Sequence, residues 1–410
     1  MFDVNEIRKD FPMLNGKMMQ NHPLVYLDNG ATTLKPQSVI DAVVSYYTET
    51  SCNIHRGDYD LSYQISNEYE QGRKTVARFL NAEANEIVFT SGASAALNQI
   101  AYGYGMDNLK EGDVILTTHE EHASSILPWF TVAKKTGAQI EYIPLTDKGE
   151  MTVESFQSAM HSGVKVVAVA AVSNVLGYKN PIKEIAAIAH EYGAVVVCDG
   201  AQWVPHVKTD VKDLDVDFLA FSGHKLCGPT GIGVLYGKYD LLEAMTPMML
   251  GGGANARFDA CGNIILKHAP AKFEAGTPAI EAVLGLKAAL EYLEKLGMDA
   301  IEEHEAALKR YAVEKLKELD HLILYNADAS TGIITFNVKN VFAQDAASYL
   351  NSQGIAVRAG NHCAKILTEV LKTSETIRAS LYFYNTFEEV DRFVEAAKNI
   401  TVENCVGLFF

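Results

Sequence analysis

Between residues 86 and 236 the chain alternates short apolar runs with stretches of helical periodicity. Glu86–Thr90, Val114–Thr117, Val164–Val172, Ala194–Cys198, Phe218–Phe221 and Gly231–Tyr236 read as strands, brief and dominated by Val, Ile and Phe. Several are apolar at nearly every position, which marks strands covered on both faces. Ser66–Leu80 reads as a helix, with Tyr69, Val76 and Phe79 near helical spacing. So does Ile182–Tyr192, where Ile182, Ile185, Ile188 and Ala189 share a stripe and Gly193 is the stop signal. Buried strands alternating with helices predict an α/β fold with a large, mainly parallel sheet. Ligands of such sheets sit beyond the carboxyl ends of the strands.

From Pro278 the pattern changes. A long helix (Ile280, Val283, Leu284, Leu290, Leu293) leads into a charge-rich one over Ile301–Leu319. Strands at Leu322–Tyr325 and Ile333–Val338 follow, then a helix near Asp345–Leu350, a strand Ile355–Arg358 and a last helix Phe387–Ala397. The expected organisation is a large domain over 26–277 and a smaller α+β C-terminal domain over 278–410. The N-terminal segment 1–25 is expected to pack on the latter.

At 410 residues the chain is long enough for two such units. A formal charge of −16 argues against nucleic acid or an anionic membrane surface as partner. No apolar run reaches the roughly 18 residues of a membrane span, and the charged N-terminus is not a secretory signal. Six scattered cysteines with no CxxC pair suit a reducing cytoplasm and give neither a disulfide framework nor a zinc site.

The chemistry concentrates at strand ends. Asp199-Gly200-Ala201-Gln202 closes one apolar run, and Ser222-Gly223-His224-Lys225 closes the next. A carboxylate followed at this interval by a lysine, flanked by hydroxyl and imidazole, is the set a pyridoxal phosphate enzyme needs. The lysine condenses with the aldehyde, and the acid keeps the pyridine nitrogen protonated. Singly, Asp199 reads as a turn cap and Lys225 as a surface lysine; together they favour the cofactor. Gln202 could donate to the ring oxygen. Phe89-Thr90-Ser91-Gly92-Ala93-Ser94-Ala95 runs from strand into helix, a junction that suits a phosphate or simply a serine-capped turn. His122, also just past a strand, could stack on a ring and move protons. The neighbouring His119, Glu120 and Glu121 lack metal-site spacing, and no metal is expected.

Cys363, in Arg358-Ala359-Gly360-Asn361-His362-Cys363-Ala364, is a candidate thiol nucleophile because Arg358 and His362 could favour its thiolate. Cys198, Cys227 and Cys52 read instead as small buried hydrophobes. Arg378, among small and apolar residues, offers a fork for a carboxylate.

These blocks, with Tyr26-Leu27-Asp28-Asn29-Gly30-Ala31-Thr32-Thr33, Asn53-Ile54-His55-Arg56-Gly57 and Phe273-Glu274-Ala275-Gly276-Thr277-Pro278, resemble those of SUF-type cysteine desulfurases. Those enzymes belong to the class V aminotransferases, of aspartate aminotransferase-like fold. The resemblance covers nearly the whole chain. It implies a cytoplasmic homodimer that converts L-cysteine to alanine, captures sulfur as a persulfide on Cys363 and passes it to a sulfur-acceptor protein for iron–sulfur cluster assembly. It implies Lys225 as the cofactor-bonded lysine, Asp199 at the pyridine nitrogen, Gln202 at the ring oxygen and His122 stacked on the ring as proton carrier. Ala93, Ser94, Ser222 and His224 would hold the phosphate, with Thr277 from the second subunit. Asn174 and Arg378 would hold the substrate carboxylate, and His55 and Arg358 would line the cavity around Cys363. Three departures stand out. Relatives usually have Thr where Ala93 and Ser94 stand, Pro where this chain reads Lys365-Ile366-Leu367, and often His within the Phe342-Ala343-Gln344 segment. A selenocysteine lyase, or a cofactor-binding protein with a structural Cys363, are the alternatives.

Overall fold

In the computed structural model, which describes residues 2–409, the apolar runs assemble into one seven-stranded sheet. Its strands are β1 (Ile87–Thr90), β2 (Val114–Thr117), β3 (Gln139–Tyr142), β4 (Val164–Ala170), β5 (Val195–Asp199), β6 (Phe218–Ser222) and β7 (Gly233–Gly237). They lie in the order β1-β7-β6-β5-β4-β2-β3, and β7 alone runs against its neighbours. Val164, Val166, Val167 and Val169 of β4 are fully buried, as a strand walled by apolar groups on both faces must be. β3 was not legible from pattern, because Gln-Ile-Glu-Tyr is a half-exposed edge strand with mixed polarity.

Helices cover both faces. α1 (Asp60–Leu80) begins a turn and a half before the periodicity predicts, because Leu61 and Tyr63 in its opening turns face solvent and break the stripe. It ends where Asn81 adopts a left-handed conformation (φ 56°), a common helix stop. α2 (Ala93–Ile100) and α3 (Ala123–Thr136) start directly beyond β1 and β2, and α4 (Ile182–Glu191) lies between β4 and β5. α5 (Ile280–Leu296) packs on α1 and buries Ile280, Val283, Leu286, Leu290 and Leu293 in the large core, each worth about 1.5–3 kcal/mol.

The second core surrounds a four-stranded antiparallel sheet. Its strands are β8 (Leu322–Leu324), β9 (Ile333–Val338), β10 (Arg358–Gly360) and β11 (Thr376–Ser380), in the order β8-β9-β11-β10. α6 (Met298–Leu316), α7 (Ala343–Ser352) and α8 (Phe387–Lys398) cover it, supplying Leu308, Leu350 and Phe393. The expected strand Ile355–Arg358 is split: Ile355–Ala356 pairs in parallel with Val25–Tyr26, and Arg358 begins β10. Near the N-terminus, Arg8 donates to the Tyr384 carbonyl at 2.6 Å and pairs with Glu389 at 2.9 Å. A hairpin over Asn255–Phe258 and Ile264–Leu266, not expected from pattern, holds Phe258, Ile264 and Ile265 in solvent. Among the described residues no helix is long and apolar enough to cross a membrane.

Candidate active site

The carboxyl ends of β4, β5 and β6 face the smaller sheet across a cleft of about 190 Å³. Asp199, Lys225, His122, Asn174, Arg358, Cys363 and Arg378 all line it, although they come from segments far apart in the chain. Ala93, Ser94, Gln202, Ser222 and His224 line it as well.

Asp199 is the last residue of β5 and buried; its Oδ1 accepts the Ala201 N–H at 2.9 Å, which fixes the carboxylate at the strand end. Lys225 stands in the tight turn after β6. Burial lowers its amine to about 8, against the pull of Asp199. The turn is clamped through the His224 carbonyl, which accepts from Thr33 N–H (3.0 Å), the Thr32 and Thr33 hydroxyls (both 3.1 Å) and Lys35 Nζ (3.0 Å). Burial and the nearby lysine ammoniums push His224 down to about 4, so its ring is neutral.

His122 caps α3. Its Nδ1 accepts the Ser124 N–H at 3.1 Å, so the neutral ring carries its proton on Nε2. Burial, and after it Lys225, lower its pKa. Beneath it, burial raises Glu120 to about 7 and Glu121 to about 8. Glu121 accepts from Thr118 Oγ1 (2.9 Å) and the Ala170 N–H (3.1 Å), tying the His122 loop to β4.

The first turns of α2 and α3 meet at one corner of the cleft. Ser94 and Ser124, each the second residue of its helix, place their hydroxyl oxygens 2.6 Å apart. Ala93 N–H donates to Ser222 Oγ at 2.8 Å. Gly92 offers no side-chain cap, so the α2 terminus presents its amides to an anion. Sequence reasoning missed Ser124. The available signal was its place two residues after His122, at the start of a helix, and it adds a second hydroxyl to the corner.

At the other end, Arg378 is 2% exposed. Its Nη1 donates to the Asn174 carbonyl at 2.7 Å, its Nη2 lies 3.5 Å from Asp28 Oδ1, and its Nε is buried without a partner. The Nε and Nη2 edge faces Gly30, where a Cβ would come within 3.1–3.3 Å of the guanidinium. Burial lowers Arg378 to about 10, opposed by Asp28. Asn174 Nδ2 donates to the His362 carbonyl at 2.8 Å. Arg358 lies directly across from Arg378 in the β10–β11 pair.

Cys363 is exposed at the rim. It and His362 both hold left-handed backbone (φ 61° and 51°), a conformation costing about 1–3 kcal/mol per residue and held here by long-range bonds. The Cys363 carbonyl accepts the Ala123 N–H at 2.7 Å, and His362 Nε2 meets Thr376 Oγ1 at 3.0 Å. This corrects one expectation. His362 is buried, with its pKa lowered to about 3, so it is neutral and offers the thiol no positive charge. The cations that line the cleft with Cys363 are Lys225, Arg358 and Arg378. Cys198 and Cys227 are buried, with their thiols pushed up, Cys227 to about 12.

His55 lies elsewhere, and Thr277, expected from a second subunit, lies outside the cleft of its own chain. Both sit near the Arg73–Glu274 pair: His55 Nε2 is 3.4 Å from Glu70, and Asn53 Nδ2 is 3.4 Å from Thr277 Oγ1. Within one chain His55 therefore does not line the cavity around Cys363. Gln202 also differs in detail, since its Nε2 donates to the Gly30 carbonyl at 2.7 Å while its Oε1 is buried and unpartnered.

The model of the aminotransferase class V family matches residues 25–393. A protein of Halalkalibacterium halodurans described as a probable cysteine desulfurase is 46% identical over 95% of this chain and 96% of its own length. A cysteine desulfurase of Haloferax volcanii is 43% identical, with 96% of each chain covered. The crystal structure of an Escherichia coli cysteine desulfurase in an S-sulfonic acid form superposes with a TM-score of 0.91 at 36% identity, covering 100% of this chain and 99% of the other. The apo cysteine desulfurase of Thermococcus onnurineus gives the same TM-score at 39% identity, with 96% and 97% covered.

Proposed function

The chain belongs to the aminotransferase class V family, and from that premise we infer that it is a pyridoxal 5′-phosphate-dependent cysteine desulfurase acting on L-cysteine. The observation that carries this reading is the convergence on one small cleft of a buried carboxylate, a lysine of depressed pKa and a rim thiol. The residues present fit the cofactor: an anion corner of paired serines and uncapped helix amides, a carboxylate at the sheet end, and a neutral imidazole between them. When bound, pyridoxal phosphate supplies an aldehyde and an electron-withdrawing ring.

In this reading Ser94, Ser222 and His224 would hold the phosphate, with the Ala93 N–H orienting Ser222 Oγ; Asp199 would pair with the pyridine nitrogen, Gln202 would serve the ring oxygen and His122 the ring face. Lys225 would hold the cofactor covalently and, when free, would take the Cα proton of the substrate; an amine of pKa about 8 is a competent base near neutral pH. Arg378 and Asn174 hold the carboxylate. His122, with its proton on Nε2, delivers protons on the substrate side. The Cys363 sulfur attacks the substrate sulfur as the Cβ–S bond breaks. L-cysteine and the enzyme thiol thus become L-alanine and an enzyme persulfide, with Arg358 supplying positive charge beside the thiol. The short, anchored loop of Cys363 delivers the persulfide to a sulfur-acceptor protein at the rim, for iron–sulfur cluster assembly. The working form is a cytoplasmic homodimer in which a second copy brings His55 and Thr277 to the cleft. Residues 26–277 form the cofactor domain, whose core also takes in α5 and Ile7 and Phe11 of the N-terminal segment, and the remainder of 278–410 forms the smaller domain bearing Cys363.

Mixing holoenzyme with L-cysteine without reductant should release about one alanine per site in a burst and then slow, with a dithiol raising the slow phase alone. Cys363→Ser should release none while keeping its cofactor. Wild-type alanine release by Cys363→Ser would overturn the assignment.

A further inference from the structure

Four consecutive carbonyls in the turn after β4 are each held by a different polar side chain from the smaller sheet and its approach. The Asn174 carbonyl accepts Arg378 Nη1 at 2.7 Å, and the Val175 carbonyl accepts the Thr335 hydroxyl. The Leu176 carbonyl accepts Asn326 Nδ2 at 2.7 Å, and the Gly177 carbonyl accepts the Thr331 hydroxyl at 2.7 Å. All four donors are buried. Gly177 turns at φ +67°, and a Cβ there would lie 2.3 Å from Thr331 Oγ1, so this rung requires glycine. Thr335 and Arg378 are direct partners across β9 and β11 and grip adjacent carbonyls. Beyond them, Asn174 passes the connection to the thiol loop through the His362 carbonyl.

We propose that Thr335 is a positioning residue for the carboxylate anchor Arg378, an inference that rests on the reading of Arg378 given above. Without the Thr335 hydroxyl the Val175 carbonyl is buried with no donor, and the turn must shift to satisfy it. The Asn174 carbonyl, one residue away, moves with it and releases Nη1. The guanidinium then loses the restraint that keeps its Nε and Nη2 edge toward Gly30, on the wall of the cleft. Thr331 grips the same turn two rungs beyond Val175, so its loss perturbs packing with little effect on Arg378.

The test uses holoenzyme carrying Thr335→Val, Thr335→Ser or Thr331→Val. L-alanine binding is titrated through the change in cofactor absorbance, KM and kcat are measured with L-cysteine, and melting temperature serves as the structural control. Thr335→Val should weaken alanine binding and raise KM about 5- to 20-fold, with kcat and cofactor content within about twofold of wild type. Thr335→Ser should restore both, and Thr331→Val should change either by less than about twofold even where its melting temperature falls as far. If Thr335→Val does not fold, Thr335→Ala, which removes the same hydroxyl donor, carries the same expectation. Equal weakening by Thr335→Val and Thr331→Val in step with lost melting temperature would overturn the proposal, as would unchanged affinity in Thr335→Val. Because alanine binding needs no sulfur chemistry, a wild type that binds alanine but releases none from cysteine would sink the desulfurase reading and leave this one standing.

Discussion

Arg378→Lys asks whether the buried guanidinium is a carboxylate fork or only a brace between strands. Arg378 spends Nη1 on the Asn174 carbonyl and lies near Asp28 through Nη2, while Nε has no protein partner. A carboxylate entering past Gly30 meets the Nε and Nη2 edge and can accept from both. Lysine keeps the charge beside Asp28 but offers a point donor, so one charge-assisted bond to the substrate is lost. Such a bond is worth about 1.5–3 kcal/mol, which converts to a KM raised roughly 10- to 150-fold. Since the anchor is made before and during the reaction, kcat should change by less than about fivefold. Alanine release over a range of L-cysteine concentrations, with a dithiol present and cofactor content read by absorbance, measures both constants. A KM within about threefold of wild type at full cofactor content would refute the fork, because the lost bond could not then be worth its expected energy.

Borohydride should fix the cofactor on Lys225; Lys225→Ala should lose that adduct yet still retain cofactor through Ser94, Ser222 and His224, and peptide mapping of the adduct to any other lysine would sink the assignment. Stability should respond to pH from two sides. The folded-state pKa of Glu121 is raised from 4.5 to about 8, so its contribution is complete at low pH and is lost as pH rises through about 8. His362, lowered from 6.5 to about 3, contributes above its unfolded value, and that contribution is lost as pH falls toward 3. Glu121→Gln should therefore flatten the fall in melting temperature from about pH 5 to 8 and leave the acid side unchanged; parallel curves for variant and wild type would count against a buried, protonated Glu121.

Hydrophobic pattern along the chain is enough to tell which segments are buried and which chemical groups stand at their ends. A strand as apolar as Val164–Ala170 has no stable place except between two layers, and Asp199 and Ser222 end their strands while Lys225 stands three residues beyond Ser222. Those facts are local, so hydrophobic pattern and motif order carry them. Edge strands such as Gln139–Tyr142 escaped because their pattern is mixed, and the opening of α1 because its apolar side chains face water. The rest depends on packing between distant segments. Ser124 joins Ser94 because two helices begin at one corner, and Thr335 reaches Val175 across 160 positions of sequence. His362 is neutral because burial withholds the water that a charged imidazole needs, although its neighbours in sequence suggested a cation beside the thiol. His55 and Thr277 share the motifs' order but lie outside the cleft. Contact between distant segments and the charge of a buried group both depend on what the whole chain encloses, and no window of sequence contains that.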